Sequence, residues 1–166
     1  MWRFIIAISL VTAQAGFSQN SVSVLKRYTK DVQKIILIES GAFRGFNYED
    51  KRETIKAKET LKLQMETDTS LLYTLYLDSD DSADLIYYLD KNGNAKSFAI
   101  VFVLADENEE KSLKTKLLNY YQERFGAYTV VNQEDELWDS RQGYFVEMRD
   151  TSDEAGMEIE ILYYRN

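Results

Sequence analysis

The chain of 166 residues contains no cysteine, no histidine and no proline. Without cysteine there is no disulfide, no thiol nucleophile and no thiolate metal site. Without histidine the usual general base, the Ser-His-Asp triad and imidazole ligation are excluded. Without proline there is no cis-proline turn and no polyproline segment. Positive charge is also short: 20 Lys and Arg stand against 28 Asp and Glu, a net charge of −8. That balance argues against nucleic acid, whose phosphates attract basic surfaces, and against docking on anionic lipid. What is plentiful is apolar and aromatic, with 45% hydrophobic residues, 12 Tyr and 8 Phe. This is globular composition, and the length fits one domain.

The first twenty residues differ from the rest. Met1-Trp2-Arg3 is a short basic start, and Phe4 to Val11 is apolar with only Ser9 interrupting. Ala13-Gln14-Ala15 then places small residues at the −3 and −1 positions of a signal-peptidase site. That order is the pattern of a secretory signal. The apolar run of about ten residues is too short for a hydrocarbon core of ~30 Å. The expectation is a signal peptide over 1–19, cut after Ala15 or near Gln19, and a single domain over 20–166. An uncleaved anchor or a buried N-terminal helix is the alternative. No Cys follows the apolar run, so the reading is a periplasmic or secreted protein with no lipid anchor and no membrane span in the mature chain. The leader holds one Arg and no acid, which leaves 19 basic and 28 acidic residues and a net of −9 in the remainder.

Periodicity predicts a helix from Ser21 to about Ile36, with Leu25, Tyr28, Val32, Ile35 and Ile36 on one stripe. A loop with two glycines follows, and Asn47 and Asp50 sit at capping-box spacing before a second helix from Tyr48 to about Glu59. Three strands are expected at Leu71 to Leu77, Ala83 to Asp90 and Ser97 to Ala105. The pair Asn92-Gly93 marks a hairpin between the last two. The third strand is apolar on both faces, which predicts a central strand covered on both sides. Asp106 and Glu109 cap a third helix that ends at Gly126. Its stripe is Leu113, Leu117, Leu118, Tyr121 and Phe125. Three closing strands are expected at Ala127 to Asn132, Tyr144 to Arg149 and Met157 to Tyr163. The last two alternate, as strands with one wet face do. The expected fold is therefore α+β, a two-layer sandwich. Its antiparallel sheet has about six strands with helices on one face, in the order α-α-β3-α-β3.

Phe43-Arg44-Gly45-Phe46 before the second helix and Tyr121-Gln122-Glu123-Arg124-Phe125-Gly126 closing the third carry a resemblance. Trp138 and the strands at Tyr144–Arg149 and Glu158–Tyr163 add to it. The chain resembles small exported bacterial proteins in which a helix and a three- or four-strand meander occur twice. Lactamase-inhibitor-like and BamE-like modules are examples. It departs from them in having neither a lipid-bearing cysteine nor disulfide cysteines, which argues against membership of a membrane complex. The resemblance implies a binding or inhibitory module.

Each candidate constellation has a plainer reading beside it. Asp78, Asp80, Asp81 and Asp84 offer hard oxygen ligands. However, the Gly that a calcium loop needs at its sixth position is missing, and the twelfth is Leu89. Asp90 to Asn94 alternates oxygen ligands without a later acid in register. Solvated hairpin turns are the reading for both. Glu134, Asp135 and Glu136 beside Trp138 could serve a glycosidase, but among 28 acids some pair is close by chance. The pairs Tyr87-Tyr88, Tyr120-Tyr121 and Tyr163-Tyr164 could stack sugars. Adjacent strand residues point to opposite faces, however, so core filling is preferred. Arg44 is a candidate anion ligand in its glycine loop, or a partner of local acids.

No catalytic residue, metal ligand or cofactor is assigned. The candidate binding surface comprises Trp138, Phe145, Tyr164 and Arg44. The leading expectation is an exported non-enzymatic module that binds another protein of the cell envelope through an aromatic sheet face or an edge strand. The alternatives are a carbohydrate or small-ligand binder using Tyr, Trp and carboxylates, and a histidine-independent carboxylate hydrolase.

Overall fold

The computed structural model describes residues 23–77, 81–153 and 156–165; the expected leader and Asp78 and Asp80 lie outside them. Its core is one antiparallel sheet of eight strands in the order β1-β2-β3-β4-β8-β7-β6-β5. The strands are β1 (Leu63–Glu66), β2 (Ser70–Tyr76), β3 (Ser82–Leu89), β4 (Ala95–Leu104), β5 (Thr129–Val131), β6 (Asp135–Asp139), β7 (Phe145–Asp150) and β8 (Met157–Tyr164). Three α-helices accompany them: α1 (Lys30–Ile36), α2 (Arg52–Lys58) and α3 (Glu107–Phe125). The chain therefore runs helix, helix, four strands, helix, four strands. The two meanders meet where their last strands, β4 and β8, pair through eight residues each.

This corrects the expectation of about six strands in the order α-α-β3-α-β3. The class α+β stands, but each meander has one strand more. β1 was missed because it is an edge strand, Leu-Gln-Met-Glu, mostly exposed and interrupted by a bulge between Leu63 and Met65. It has no buried alternation to read. β6 was missed because Asp135-Glu136-Leu137-Trp138-Asp139 places its apolar residues side by side among acids. Its strand character comes from pairing with β7 and β5.

The first helix is also shorter than its stripe predicts. A 3₁₀ turn at Val24–Arg27 is separated from α1 by Tyr28 and Thr29, which are both extended. The second helix begins at Arg52, not Tyr48. Residues 49–52 instead bond to the β3–β4 hairpin: Glu49 N–H donates to Ala95 O, Ala95 N–H to Asp50 O, and Arg52 N–H to Gly93 O. Long-range pairing overrides local helix propensity there. The Asn47–Asp50 contact forms, with Asn47 N–H donating to Asp50 Oδ2 at 2.8 Å, but outside the helix.

α3 matches its sequence signals. The Asp106 carboxylate accepts from Asn108 N–H at 2.7 Å and from Glu109 N–H at 3.0 Å. At the other end Gly126 has φ 94°, a region open to glycine at little cost. Its buried side includes Leu113, Leu117, Tyr120 and Tyr121.

All three helices bury their apolar residues against one face of the sheet. Val32, Ile35, Ile55, Leu117 and Tyr121 form a single cluster with Leu85, Tyr87, Phe98, Ile100, Phe102, Val146, Met148, Ile159, Ile161 and Tyr163. β4 is central as expected, but among the described residues helices cover it on this face only. Among the described residues none is long and apolar enough as a helix to cross a membrane.

Removing the α3 cap isolates its share of stability. Asp106→Ala is expected to lower the unfolding free energy by about 1 kcal/mol, read as a shift of the urea midpoint with unchanged slope.

Candidate functional site

The structure separates the four residues of the expected surface into two groups. Trp138 is fully buried on the helical face of β6, with its ring 5.4 Å from that of Tyr121 and 5.5 Å from that of Tyr128. Arg44 is also internal. It lies in a turn held by Gly41, where a Cβ would come within 2.6 Å of Phe46 O. The Arg44 side chain is 2% exposed and reaches the C-terminal end of α1, not a helix N-terminus. It donates to Lys34 O at 2.8 Å and Ile35 O at 2.6 Å, and forms an ion pair with Glu59 at 3.2 Å. Tyr87 O–H donates to the same carboxylate at 2.5 Å. Burial alone raises the Glu59 carboxyl, but the hydrogen bonds from Arg44 and Tyr87 outweigh it and hold it below its ordinary value of 4.5. Arg44 is thus a cross-link between α1, its own turn and α2.

Phe145 and Tyr164 do come together, on the sheet face that none of the three described helices covers. They are directly paired across β7 and β8, with ring centroids 5.9 Å apart and planes at 30°. Two positions further along β7, Glu147 also points to this face, yet it is only 4% exposed. Tyr164 O–H donates to Glu147 Oε2 at 2.9 Å, and Arg149 Nε–H donates to Oε1 at 2.9 Å. Arg149 also lies 3.6 Å from Glu160. The Tyr164 hydroxyl is pushed up by burial and by its bond to Glu147. Glu147, Arg149, Tyr164, Leu162 and Ser97 border a shallow depression of about 440 Å³.

Register places an apolar row beside this group. Leu72 pairs with Ile86, Ile86 with Ala99, Ala99 with Leu162, Leu162 with Glu147, and Glu147 with Leu137. The row crosses six strands, about 24 Å at ~4.8 Å per strand. Ala99 in this row is fully buried although it is not part of the helical-face core. Met65, Tyr76 and Val103 widen the face and are 58%, 73% and 43% exposed. The sequence carries a trace of this row: the third expected strand was apolar on both faces. Apolar residues on both faces predict double coverage. Among the described residues no helix covers the second face, and Leu72, Ile86, Leu137, Leu162 and Glu147 were therefore not singled out.

The other candidates resolve into local chemistry. Asp90 accepts from Asn92 N–H and Asn94 N–H, so the hairpin itself satisfies it. Asp81 accepts from Ala105 N–H and Asp84 from Thr74 O–H. Among the described residues no three carboxylates converge as a metal ion requires. Glu136, of the acidic run beside Trp138, is raised by burial. It feels the charge of Asp150, whose carboxyl also interacts with that of Glu110. Glu110 is raised by burial and then by the Asp150 charge. Asp150 is opposed by burial but lowered by bonds from Ser152 and the charge of Lys114, 3.5 Å away. No family model, curated protein or solved structure matches this chain.

Truncating either side of the buried pair leaves the other charge uncompensated. Arg44→Ala and Glu59→Ala are each expected to cost about 3–5 kcal/mol in chemical denaturation. The Glu59 carboxyl is depressed in the fold, so its contribution is complete above its ordinary value of 4.5 and is lost as pH falls through the lower folded value. Glu59→Gln should therefore flatten the acid limb of the stability profile below that pH. For Glu110, raised in the fold, the sign is opposite: its contribution is present at low pH and lost as pH rises through the folded value. Glu110→Gln should be at least as stable as the parent at pH 7, and a loss of stability there contradicts this reading.

Proposed function

We propose that the protein is an exported, non-enzymatic binding module that docks another protein on the open face of its sheet. The observation that carries this reading is the apolar row from Leu72 to Leu137, crossing six strands on a face that no helix among the described residues covers. A sheet face that faces only water normally alternates to polar side chains, and contiguous apolar surface marks an interaction site. The face is favoured over the edges. β1 is interrupted by a bulge and β5 has only three residues, and both features blunt strand addition. Export rests on the basic start, apolar run and Ala13-Gln14-Ala15 of the leader.

A second reading, small-ligand or carbohydrate binding, draws on the Phe145–Tyr164 pair beside the depression with Glu147, Arg149 and Ser97. The two readings separate by substitution. Ile86→Lys lies on the row but away from that depression. It points outward and is half-buried, so the domain should remain folded by circular dichroism. Protein docking predicts that this variant loses a partner captured from the native envelope by the parent. Retention of the same partner, together with thermal stabilisation by a glycan that Tyr164→Ala abolishes, would move the assignment to the second reading.

A further inference from the structure

We infer that the occupant of the open face is a basic amphipathic helix, laid across the strands with its apolar stripe on the Leu72–Leu137 row and its basic flank over Asp84 and Glu160. This rests on the reading of that face as a docking surface. Three observations select such a partner.

The first is charge. The outward strand positions hold Asp84, Asp135, Asp139, Glu147, Glu158 and Glu160 against Arg149, with Lys96 exposed at the β3–β4 irregularity as the other base nearby. A second copy of the chain would bring acid onto acid, which costs association. A cationic partner gains from the same field.

The second is the layout. Asp84, Val101 and Glu160 are directly paired across β3, β4 and β8. They form a row parallel to the apolar one and two residues further along the strands, about 6.8 Å away. An apolar stripe flanked on one side by charge is the pattern of an amphipathic helix. An extended segment lying along the strands would meet the two rows alternately. The row of about 24 Å corresponds to about sixteen helical residues at 1.5 Å each.

The third is an acid held in excess. Arg149 serves both Glu147 and Glu160. The Glu160 carboxyl is nevertheless raised, by burial first, while Glu147 and Glu158 add repulsion against the one favourable charge of Arg149. A cation brought to Glu160 relieves that crowding. Tyr88 and Tyr164, on the opposite side of the apolar row, complete its wall.

The test uses the purified protein, isotope-labelled for NMR, with two synthetic sixteen-residue probes. One is a Leu/Lys amphipathic helix and the other is the same sequence with Glu for Lys. The Leu/Lys probe should shift the amides of Ile86, Ala99 and Leu162, bind about tenfold or more tighter than the Leu/Glu probe, and weaken at high salt. The isosteric double variant Glu158→Gln, Glu160→Gln should reduce its affinity several-fold without changing the fold. Equal binding of the two probes overturns the inference, as do shifts confined to α1–α3 or an unaffected double variant. A concentration-dependent dimer that shifts the same amides also overturns it, in favour of a second copy. If the inference fails in these ways while Ile86→Lys still abolishes native partner capture, the docking face stands and only the basic helix falls. If Ile86→Lys also leaves capture intact, both fall.

Discussion

The pairing of β4 with β8 is the constraint on which the rest depends. It joins two four-stranded meanders into one sheet, from Ser97 opposite Tyr164 to Leu104 opposite Met157. Because side chains alternate, its register decides the fate of both faces at once. Phe98, Ile100 and Phe102 meet Tyr163, Ile161 and Ile159 under the helices, while Ala99 and Val101 meet Leu162 and Glu160 outside. A slip of one residue would exchange the two sets and expose the aromatic core. The ladder also closes a chain segment of about fifty residues, so α3 and the second meander are ordered against a loop-closure cost. The capped ends of α3 lower that cost locally, since this helix packs on β8, β6 and β4 together.

The helical face is fastened by a polar device inside an apolar layer. Arg44 satisfies two terminal carbonyls of α1 and the carboxylate that ends α2, and Tyr87 of β3 donates to that same carboxylate. Each group is too buried to be tolerated alone, and together they specify how α1, α2 and the sheet meet. α1 and α2 have only seven residues each. Helices that short are marginal on their own, so their placement depends on such tertiary contacts.

Legibility in the sequence followed how local the determining force was. α3 was read closely because its cap, first-turn acids and Gly126 act within one turn. β7 and β8 were read because one buried face imposes period two. β1 and β6 were not, since pairing with neighbours, not hydrophobic alternation, makes them strands. The second helix began four residues late because the β3–β4 hairpin, distant in sequence, captured residues 49–52. At the site, Phe145 and Tyr164 were found as outward members of alternating strands. Arg44 and Trp138 were placed with them because exposure of an Arg or a Trp is a tertiary property. The apolar row itself depends on register across six strands, which no single segment encodes.

The outer face then poses a physical question of its own. An apolar row that no described helix covers invites self-association, and the six acids among the outward positions oppose it by keeping like surfaces apart. Glu147 sharpens the point. It lies within the row, between Leu162 and Leu137, where an apolar side chain would pack without desolvating a charge. Its carboxylate is instead fully engaged by Tyr164 and Arg149, which fixes Arg149 between two acids and leaves Glu158 and Glu160 in excess. If the face docks a partner, the arrangement disfavours its own copy and favours a surface of opposite charge and matching apolar width. Discrimination of this kind comes from the repulsive groups as much as from the attractive ones.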